Sequence, residues 1–392
     1  MSYLLGIIGL FVTLGLAYLI SSNKKAIKLK PLIVMFVLQL VLGFVLLRTT
    51  FGTAVVSVLA KMFDHLLAFA GQGVDFVFAG VANKGSAPFF LSVLMPIVFI
   101  SAIIGILRYI KILPLFMKAV GLGLSKINGM GKLESYNGVA SAILGQSEVF
   151  ISIKKELPFL SEKRLFTMSV SMSTVSMSIV GSYMALIDSK YVITALVLNL
   201  FGGYILASIV NPYVLEEKED ELIIEENKEQ TFFQMLGEYI LDGFHVAITV
   251  AAMLIGFVAL IAMINAIFHG IFGITFQEIL GYIFAPLAFI SGIPWKEAVD
   301  AGSIMATKLV TNEFVAMTEL ANDHFHFTER TTAIISVFLV SFANFSSIGI
   351  ISGAMKGLNE EKGNLVAKHG LKILLTATLV SFLSAIVTGL LV

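Results

Sequence analysis

Long apolar runs separated by short polar segments dominate the chain. Eight of these runs approach the roughly 20 residues that an α-helix needs to cross a bilayer. The pattern therefore predicts an all-α polytopic membrane protein with eight transmembrane helices, the first of which we expect to be retained rather than cleaved as a leader. The predicted spans cover residues 4–20, 31–47, 90–107, 165–186, 191–210, 244–268, 332–354 and 370–391.

Two further apolar stretches are interrupted near their centres by polar residues. The tetrapeptide Gly-Gln-Ser-Glu at 145–148 interrupts residues 139–160, and Thr-Asn-Glu at 311–313 interrupts residues 298–320. Each stretch is too short to cross a bilayer twice, so each predicts a re-entrant hairpin whose tip lies inside the membrane. Irregular backbone at that depth is tolerated only where protein covers it or where it lines a watery cavity.

The two hairpins belong to a doubled pattern. About thirty residues after each hairpin tip, a serine- or asparagine-rich segment interrupts an apolar helix, at 173–181 and again at 341–349. The clusters of lysine and arginine fall on one side if each hairpin returns to the side it left, and the positive-inside rule makes that side cytoplasmic. The hairpins then open to opposite sides, which predicts an inverted repeat with both termini outside.

This topology divides the chain into four parts. We expect scaffold helices in residues 1–107, a first inverted repeat in 108–215, an acidic loop with a scaffold span in 216–268, and a second inverted repeat in 269–392. The first repeat begins with a lysine-bearing segment, residues 110–127, that is typical of a helix lying along the membrane interface. The predicted location is the plasma membrane, which in a bacterium is the inner membrane.

The composition supports a membrane protein without enzymatic chemistry. Of the 392 residues, 57% are hydrophobic and only 13% are charged, whereas a soluble domain is closer to a quarter charged. The formal net charge is zero, which gives no sign of a nucleic-acid partner, and the absence of cysteine excludes disulfides and thiolate metal sites. The six histidines have no metal-ligand spacing, and no nucleophile–base arrangement is present.

Two glutamates, Glu148 and Glu313, occupy matching positions at the predicted hairpin tips. A carboxylate is costly at membrane depth, and a matched pair in the two halves of an inverted repeat points to a binding site. Such a carboxylate can accept hydrogen bonds from a polar, hydroxylated solute, or it can bind a proton. The alternative is a structural role, in which each glutamate caps a half-helix or pairs with a lysine such as Lys308.

The interrupted helices supply further polar groups. Asn344 breaks the predicted seventh span, and Ser346 and Ser347 follow it. Unwound carbonyls and hydroxyls at such a break form an oxygen cage that suits a small hard cation such as sodium, although serines at helical spacing also serve helix packing. The equivalent segment of the first repeat contains Ser173, Ser176 and Ser178.

At these residues the chain resembles the concentrative nucleoside transporter family in its bacterial form. The similarity covers essentially the whole chain. The most specific strings are Asn-Glu-Phe-Val-Ala at 312–316 and Asn-Phe-Ser-Ser-Ile-Gly at 344–349. The strings at 145–148 and 173–181 match the family as well.

The resemblance implies an architecture and a set of substrate-binding residues. It implies a homotrimer whose subunits each contain eight spans and two re-entrant hairpins, with a transport domain that moves as an elevator against a scaffold. The residues of the first hairpin are expected to face the nucleobase, and those of the second hairpin and seventh span the ribose hydroxyls, with a phenylalanine beside the nucleoside. The expected substrate-binding residues are Gln146, Ser147 and Glu148; Val180; Glu313, Asn344 and Ser347; and Phe342.

The resemblance also implies a coupling cation, either sodium or a proton. A sodium site is expected between the end of the first arm of the first hairpin and the break in the fourth span. Ser141 stands about where sodium-dependent members have an amide side chain, so the residues leave the choice between the two cations open. The candidate sodium ligands are Ser141, Leu144, Ser176 and Ser178.

Together these features predict a cation-coupled nucleoside symporter in the lipid bilayer, with no cofactor beyond the coupling ion and a uridine-like or broader substrate range. One alternative is an ion-coupled symporter for another small polar solute, such as an amino acid, but neither hairpin tip offers an arginine or lysine for a carboxylate. A second alternative is a passive channel. Channels usually present symmetric rings of pore-lining groups, whereas asymmetric hairpins suit alternating access.

Overall fold

A computed structural model describes residues 2–78, 88–144, 149, 152–153, 156–174, 177–214, 230–321 and 325–392. All of the regular secondary structure in these ranges is helical. The α-helices are α1 (Ser2–Leu19), α2 (Leu29–Arg48), α3 (Thr50–Val77), α4 (Pro96–Tyr109), α5 (Ile112–Asn128), α6 (Lys132–Ile143), α7 (Glu162–Met172), α8 (Val180–Met184), α9 (Ser189–Val210), α10 (Phe232–Phe272), α11 (Phe276–Ile290), α12 (Trp295–Val310), α13 (Glu313–Leu320), α14 (Glu329–Leu339), α15 (Phe345–Leu358), α16 (Glu360–Lys368) and α17 (Gly370–Leu391).

Most of the predicted spans correspond to single helices. The described ranges contain six helices that are long and apolar enough to cross a membrane. Five of these match predicted spans, whereas α3 was not predicted, because charged residues such as Lys61 and Asp64 interrupt its apolar pattern. The first predicted span is the shorter apolar helix Tyr3–Leu19. The total of eight spans stays a prediction.

The predicted fourth and seventh spans are each broken into two helices. The fourth consists of α7 and the short α8, and the seventh consists of α14 and α15. The second break falls at residues 340–344, as the asparagine in the sequence indicates. Each break brings backbone polar groups out of the helical hydrogen-bonding pattern, and in a membrane these groups need partners from elsewhere in the protein.

The order of helices repeats along the chain. An apolar helix (α4, then α10) is followed by a second helix (α5, then α11) and by the helix that leads to a predicted hairpin tip (α6, then α12). In each repeat the second helix packs against the hairpin arm, and in the second repeat α11 and α12 meet at a bend of 117°. Sequence analysis identified α5 but missed its counterpart α11, which contains Pro286 and lacks lysine. The order of these helices is thus similar in the two parts of the described ranges, and the inverted repeat itself stays a prediction.

The helices differ strongly in how much of their surface the protein covers. In α17, 89% of the apolar window is buried, and this helix packs against α1, α9 and α14. In α10 only 12% of the corresponding window is buried, so most of its apolar surface faces outward. Because isolated apolar surface of this extent is stable only in lipid or against another protein, α10 lies at the periphery and α17 lies in the core.

A buried ion pair fixes the first hairpin arm. The guanidinium of Arg164 on α7 donates two hydrogen bonds to the carboxylate of Glu134 on α6, and both residues are buried. The Tyr204 hydroxyl on α9 donates to the carbonyl oxygen of Ser135 at 2.7 Å. The ion pair ties α6 to α7, and the tyrosine hydroxyl ties α6 to α9.

Candidate functional site

Glu313 lies directly after a short break between two helices. Only Thr311 and Asn312 separate α12 from α13, and Glu313 is the first residue of α13. The Asn312 side chain caps this helix by accepting a hydrogen bond from the Val315 amide at 3.1 Å. An asparagine N-cap replaces a partner that the first turn lacks, so the sequence Thr-Asn-Glu ends one helix and starts the next. Glu313 is only 4% exposed.

Two side chains from separate parts of the chain bind the Glu313 carboxylate. The Tyr183 hydroxyl on α8 donates to Oε1 at 2.8 Å, and the Asn344 amide donates from Nδ2 to Oε2 at 2.7 Å. All three residues are buried. A carboxylate has about four lone-pair directions, so after accepting these two bonds Glu313 still has acceptor capacity for a ligand.

Sequence analysis predicted Glu313 and Asn344 but missed Tyr183. This tyrosine follows the serine-rich break of the first repeat, and the only signal in the sequence is a polar hydroxyl five residues after Ser178 in an apolar segment. Its ring also packs against Phe314, with the ring centres 5.1 Å apart. Tyr183 therefore connects the broken helix of the first repeat with the hairpin of the second.

The second helix break presents Asn344 in a fixed orientation. Asn344 caps α15, and its Oδ1 accepts hydrogen bonds from the Ser347 amide and the Ser346 hydroxyl, both at 2.8 Å. Since Oδ1 is occupied in this way, the Nδ2 group is directed to Glu313. Ser347 is buried beside it, and its backbone amide rather than its hydroxyl makes the contact with Asn344.

The two helix breaks touch each other at Phe342. The Phe342 amide donates to the carbonyl oxygen of Thr174 at 3.2 Å, which joins the unwound segments of the two repeats. The Phe342 side chain is partly buried and packs against the apolar core. Both α13 and α15 begin within this region, so the positive ends of two helices face the carboxylate.

Part of the predicted site lies outside the described residues. This applies to Gln146, Ser147 and Glu148 on the first hairpin and to Ser176 in the first break. Of Ser178 the structure gives the backbone, which lies in the short helical turn Met177–Ile179. Val180 is fully buried at the start of α8, one turn before Tyr183. The roles expected for these residues stay predictions.

The candidate sodium ligands on α6 are buried near an amide that sequence analysis did not identify. Ser141 donates its hydroxyl to the carbonyl oxygen of Asn137 at 2.6 Å, and the buried Leu144 ends the helix. The Asn137 side chain donates to the carbonyl oxygen of Met168 at 3.2 Å. Its Oδ1 is buried and has no hydrogen-bond partner among the described residues.

The possible cation ligands near Ser141 are hydroxyl and amide oxygen atoms rather than a cluster of carboxylates. The Ser141 oxygen and the Asn137 Oδ1 retain lone pairs, and hard monovalent and divalent cations prefer such oxygen ligands. The described residues contain no group of three or more His, Asp or Glu residues that could hold a metal ion. The donor set therefore fits a weakly held sodium ion better than a transition metal.

Three family models match consecutive parts of the chain. Residues 8–81 match the model of the Na+ dependent nucleoside transporter N-terminus, residues 90–190 match a model described as nucleoside recognition, and residues 191–389 match the Na+ dependent nucleoside transporter C-terminus. The boundary between the last two models coincides with the start of α9, between the broken helix of the first repeat and the remainder.

Relatives and solved structures align along the full length. The purine nucleoside transport protein NupG of Bacillus subtilis is 37% identical, with 100% of each chain covered. The nucleoside permease NupC of Helicobacter pylori is 31% identical, covering 99% of this chain and 98% of the relative. CNTnw in an inward-facing substrate-bound state superposes with a TM-score of 0.93 at 32% identity, covering 100% of this chain and 98% of that one. Because sequence, family models and fold agree from end to end, the chain belongs to the Na+ dependent, concentrative nucleoside transporter family.

Proposed function

We propose that this protein is a cation-coupled symporter that imports nucleosides across the plasma membrane, with both termini outside. The observation that carries the proposal is the buried Glu313 carboxylate, held by Tyr183 from one repeat and Asn344 from the other. A nucleoside is neutral and rich in hydroxyls, so it requires a site with strong hydrogen-bond acceptors inside the membrane. A carboxylate with spare acceptor capacity suits the ribose hydroxyls.

The resemblance to the family suggests how the two predicted hairpins divide the binding of the nucleoside. Glu313, Asn344 and Ser347 would bind the ribose, and Phe342 would pack beside the nucleoside. Gln146, Ser147 and Glu148, together with Val180, would read the nucleobase. Asn and Gln side chains offer both donors and acceptors to a base edge, so Gln146→Ala is expected to change the ranking of purines against pyrimidines, whereas Asn344→Ala weakens all nucleosides alike.

The substrate range is proposed to include purine nucleosides. Among the relatives named above, the one with the higher identity is described as a purine nucleoside transport protein, while the other is described only as a nucleoside permease. Competition of labelled uridine uptake by adenosine, guanosine and inosine measures this range. No competition by any of the three purine nucleosides would limit the protein to pyrimidines.

We propose sodium as the coupling cation. The proposed ligands are Ser141 and Leu144 on α6 with Ser176 and Ser178 from the first break, and the Asn137 Oδ1, which has no hydrogen-bond partner among the described residues, would add an oxygen. Concentrating a neutral solute requires a coupled ion, and oxygen ligands at the end of a half-helix are typical of such ion sites. A proton carried by Glu148 or Glu313 is the alternative.

Transport is proposed to proceed by an elevator movement within a homotrimer. The largely uncovered surface of α10 suits a scaffold helix at the periphery of a subunit, and the buried α17 suits a compact moving unit. Structures of CNTnw variants in outward-facing and intermediate states have TM-scores of 0.92 and 0.93 against this chain. Alternation between such states is the behaviour that a symporter requires.

The decisive experiment uses purified protein in proteoliposomes loaded with choline buffer. Labelled uridine and adenosine are supplied outside with an inward sodium gradient, with an inward proton gradient, or with neither. We expect accumulation above equilibrium with sodium alone. Accumulation with protons alone would replace sodium by a proton, equilibration without any gradient would indicate a passive channel, and no uptake of any nucleoside would refute the proposed substrate.

A further inference from the structure

A buried lysine at the second helix break has no role in the binding site described above. Lys308 lies on the hairpin arm α12, five residues before Glu313, and is only 1% exposed. Its ammonium lies 4.4 Å from the centre of the Phe338 ring. A lysine at membrane depth is costly unless its surroundings replace the water that it loses, so its partners indicate why it is there.

Three oxygen atoms lie within hydrogen-bonding distance of the Lys308 Nζ. Nζ donates to the carbonyl oxygen of Phe338 at 2.5 Å, to the Ser341 hydroxyl at 2.6 Å and to the Ser381 hydroxyl at 3.1 Å. The Ser381 hydroxyl donates in turn to the carbonyl oxygen of Ala377 at 3.2 Å, and the two serine hydroxyls lie 2.7 Å apart. If Ser341 donates to Ser381, both hydroxyl oxygens are free to accept from Nζ. An ammonium fits this pattern, because its three N–H groups match the three oxygen atoms.

These three oxygens, which we call the lysine cage, have the composition of a site for a monovalent cation. One is a backbone carbonyl in the last turn of α14, where the helix dipole is negative and the carbonyls lack partners within the helix. Two are hydroxyl oxygens, from the break and from α17. The face of the Phe338 ring adds a further attraction for a cation.

The first repeat has the corresponding break without the lysine. The residue five positions before its hairpin glutamate is Ile143, which is apolar and buried. Each break also carries a serine just after the first half of its broken helix: Ser173 directly follows α7, and Ser341 lies two residues after α14. The buried Oδ1 of Asn137 has no hydrogen-bond partner among the described residues of this region. One repeat thus carries its own ammonium, and the other leaves oxygen atoms available.

We propose that Lys308 is a tethered cation: its ammonium fills the cation position of the second repeat, so that a free coupling cation binds only in the first repeat and a single cation accompanies each nucleoside. The proposed ratio of one cation per nucleoside depends on the cation coupling proposed above. The lysine cage does not depend on that coupling. The ammonium joins α12, which leads to Glu313, to the break that carries Asn344. Lys308 is therefore a positioning residue that keeps these two partners within hydrogen-bonding distance, and it does not touch the nucleoside.

A thermal experiment tests the lysine cage without any transport assay. Lys308→Ala removes the ammonium and leaves the three oxygens around an empty space, whereas Lys308→Met fills the volume of the stem. The melting temperature of each purified variant is measured in ammonium, methylammonium or choline chloride at equal ionic strength. We expect ammonium to raise the melting temperature of Lys308→Ala selectively, because a cation that binds only the folded state stabilises it. The same melting temperature for Lys308→Ala in all three salts would overturn the cage.

A transport experiment tests the positioning role. Lys308→Ala is expected to lower nucleoside uptake by about tenfold or more, as the loss of hydrogen bonds to a charged group predicts, and added ammonium should restore part of it. Lys308→Met should be equally impaired and should not respond to ammonium. Parental uptake by either variant, or equal recovery of both in ammonium, would contradict this role.

Two serine variants keep the proposal testable if the lysine variants do not fold. Ser381→Ala removes one oxygen of the cage. Ser384→Ala is the matched control, because Ser384 is buried on the same helix and its hydroxyl has no hydrogen-bond partner among the described residues. We expect only Ser381→Ala to lower uptake and melting temperature, and equal effects would overturn the proposal.

The sodium dependence of the parent protein tests the stoichiometry. We expect uptake to rise with sodium concentration without cooperativity, and a clearly sigmoidal dependence would overturn the single-cation stoichiometry. A parent protein that takes up no nucleoside would refute the proposed function, while the melting experiment would still decide whether the cage binds a cation.

Discussion

Replacement of Glu313 by glutamine tests the site at its centre. The carboxylate accepts hydrogen bonds from Tyr183 on one oxygen and from Asn344 on the other, at 2.8 and 2.7 Å. Glutamine has nearly the same shape, but it offers one carbonyl oxygen and one NH2 group. The NH2 group would either meet the Asn344 donor or require the Tyr183 hydroxyl to turn and accept, and in both arrangements the bonds to a charged acceptor are lost.

The expected loss follows from these contacts. A hydrogen bond to a charged group contributes roughly 1.5–3 kcal/mol, and a neutral one about 0.5–1.5 kcal/mol. Even if the substitution costs only one charge-assisted bond at the low end of this range, the loss is about 1.5 kcal/mol, or slightly more than tenfold in binding. Because the ribose hydroxyls are proposed to bind the same carboxylate, we expect uptake and nucleoside affinity to fall by at least about tenfold.

The assay is uridine and adenosine uptake into proteoliposomes that contain equal amounts of folded protein. Glu319→Gln is the matched control, since Glu319 lies on the same helix and accepts a hydrogen bond from Gln277 at 2.8 Å, which a glutamine carbonyl can also accept. We expect this control to retain most of its uptake. In the parent protein, 2′- and 3′-deoxynucleosides should bind more weakly than ribonucleosides. Parental uptake by Glu313→Gln would refute the assignment of Glu313 to the substrate.

Three further substitutions test other parts of the argument. Tyr183→Phe keeps the ring contact with Phe314 but removes the donor to the carboxylate, so we expect nucleoside affinity to fall about tenfold without loss of folded protein, and unchanged affinity in a binding titration would contradict the role of this hydroxyl. Arg164→Met leaves Glu134 buried without its charge partner, which should cost about 3–5 kcal/mol of stability and lower the melting temperature. Combining it with Glu134→Leu should recover most of the loss. An unchanged melting temperature of Arg164→Met would contradict the buried ion pair. Gly302→Ala would place a Cβ 2.7 Å from a backbone oxygen of α11, so we expect reduced yield of folded protein, and normal yield and melting temperature would show that α11 and α12 can separate.

Short segments of the sequence were enough to identify the site residues that lie next to helix ends. Asn312 and Asn344 each follow an apolar helix and cap the next one, and capping depends on a side chain and an amide only three residues away. The positions of the hairpin turn and the seventh-span break could therefore be predicted from short strings. The same reasoning identified Glu313, because a carboxylate between two apolar helices is costly at membrane depth.

Contacts between distant segments could not be predicted in this way. Tyr183 is 130 residues from Glu313, and its single hydroxyl does not distinguish it from other tyrosines until the helices are packed. Lys308 was considered only as a partner for the glutamate, but its ammonium binds oxygen atoms of α14, the break and α17 instead. Helix α3 was missed for a different reason, since its charged residues interrupt the apolar run while its helical surface still remains mostly apolar.

The sequence by itself determined that the chain is an apolar, all-helical membrane protein and that its predicted fourth and seventh spans are broken, while the two re-entrant hairpins stay predictions. These properties follow from hydrophobicity and capping, which act over a few residues. The tertiary structure decided which polar groups meet at the breaks. Buried donors and acceptors must find partners wherever the packed helices bring them, and here that requirement joins Tyr183 and Asn344 to Glu313 and encloses the ammonium of Lys308 among three oxygens.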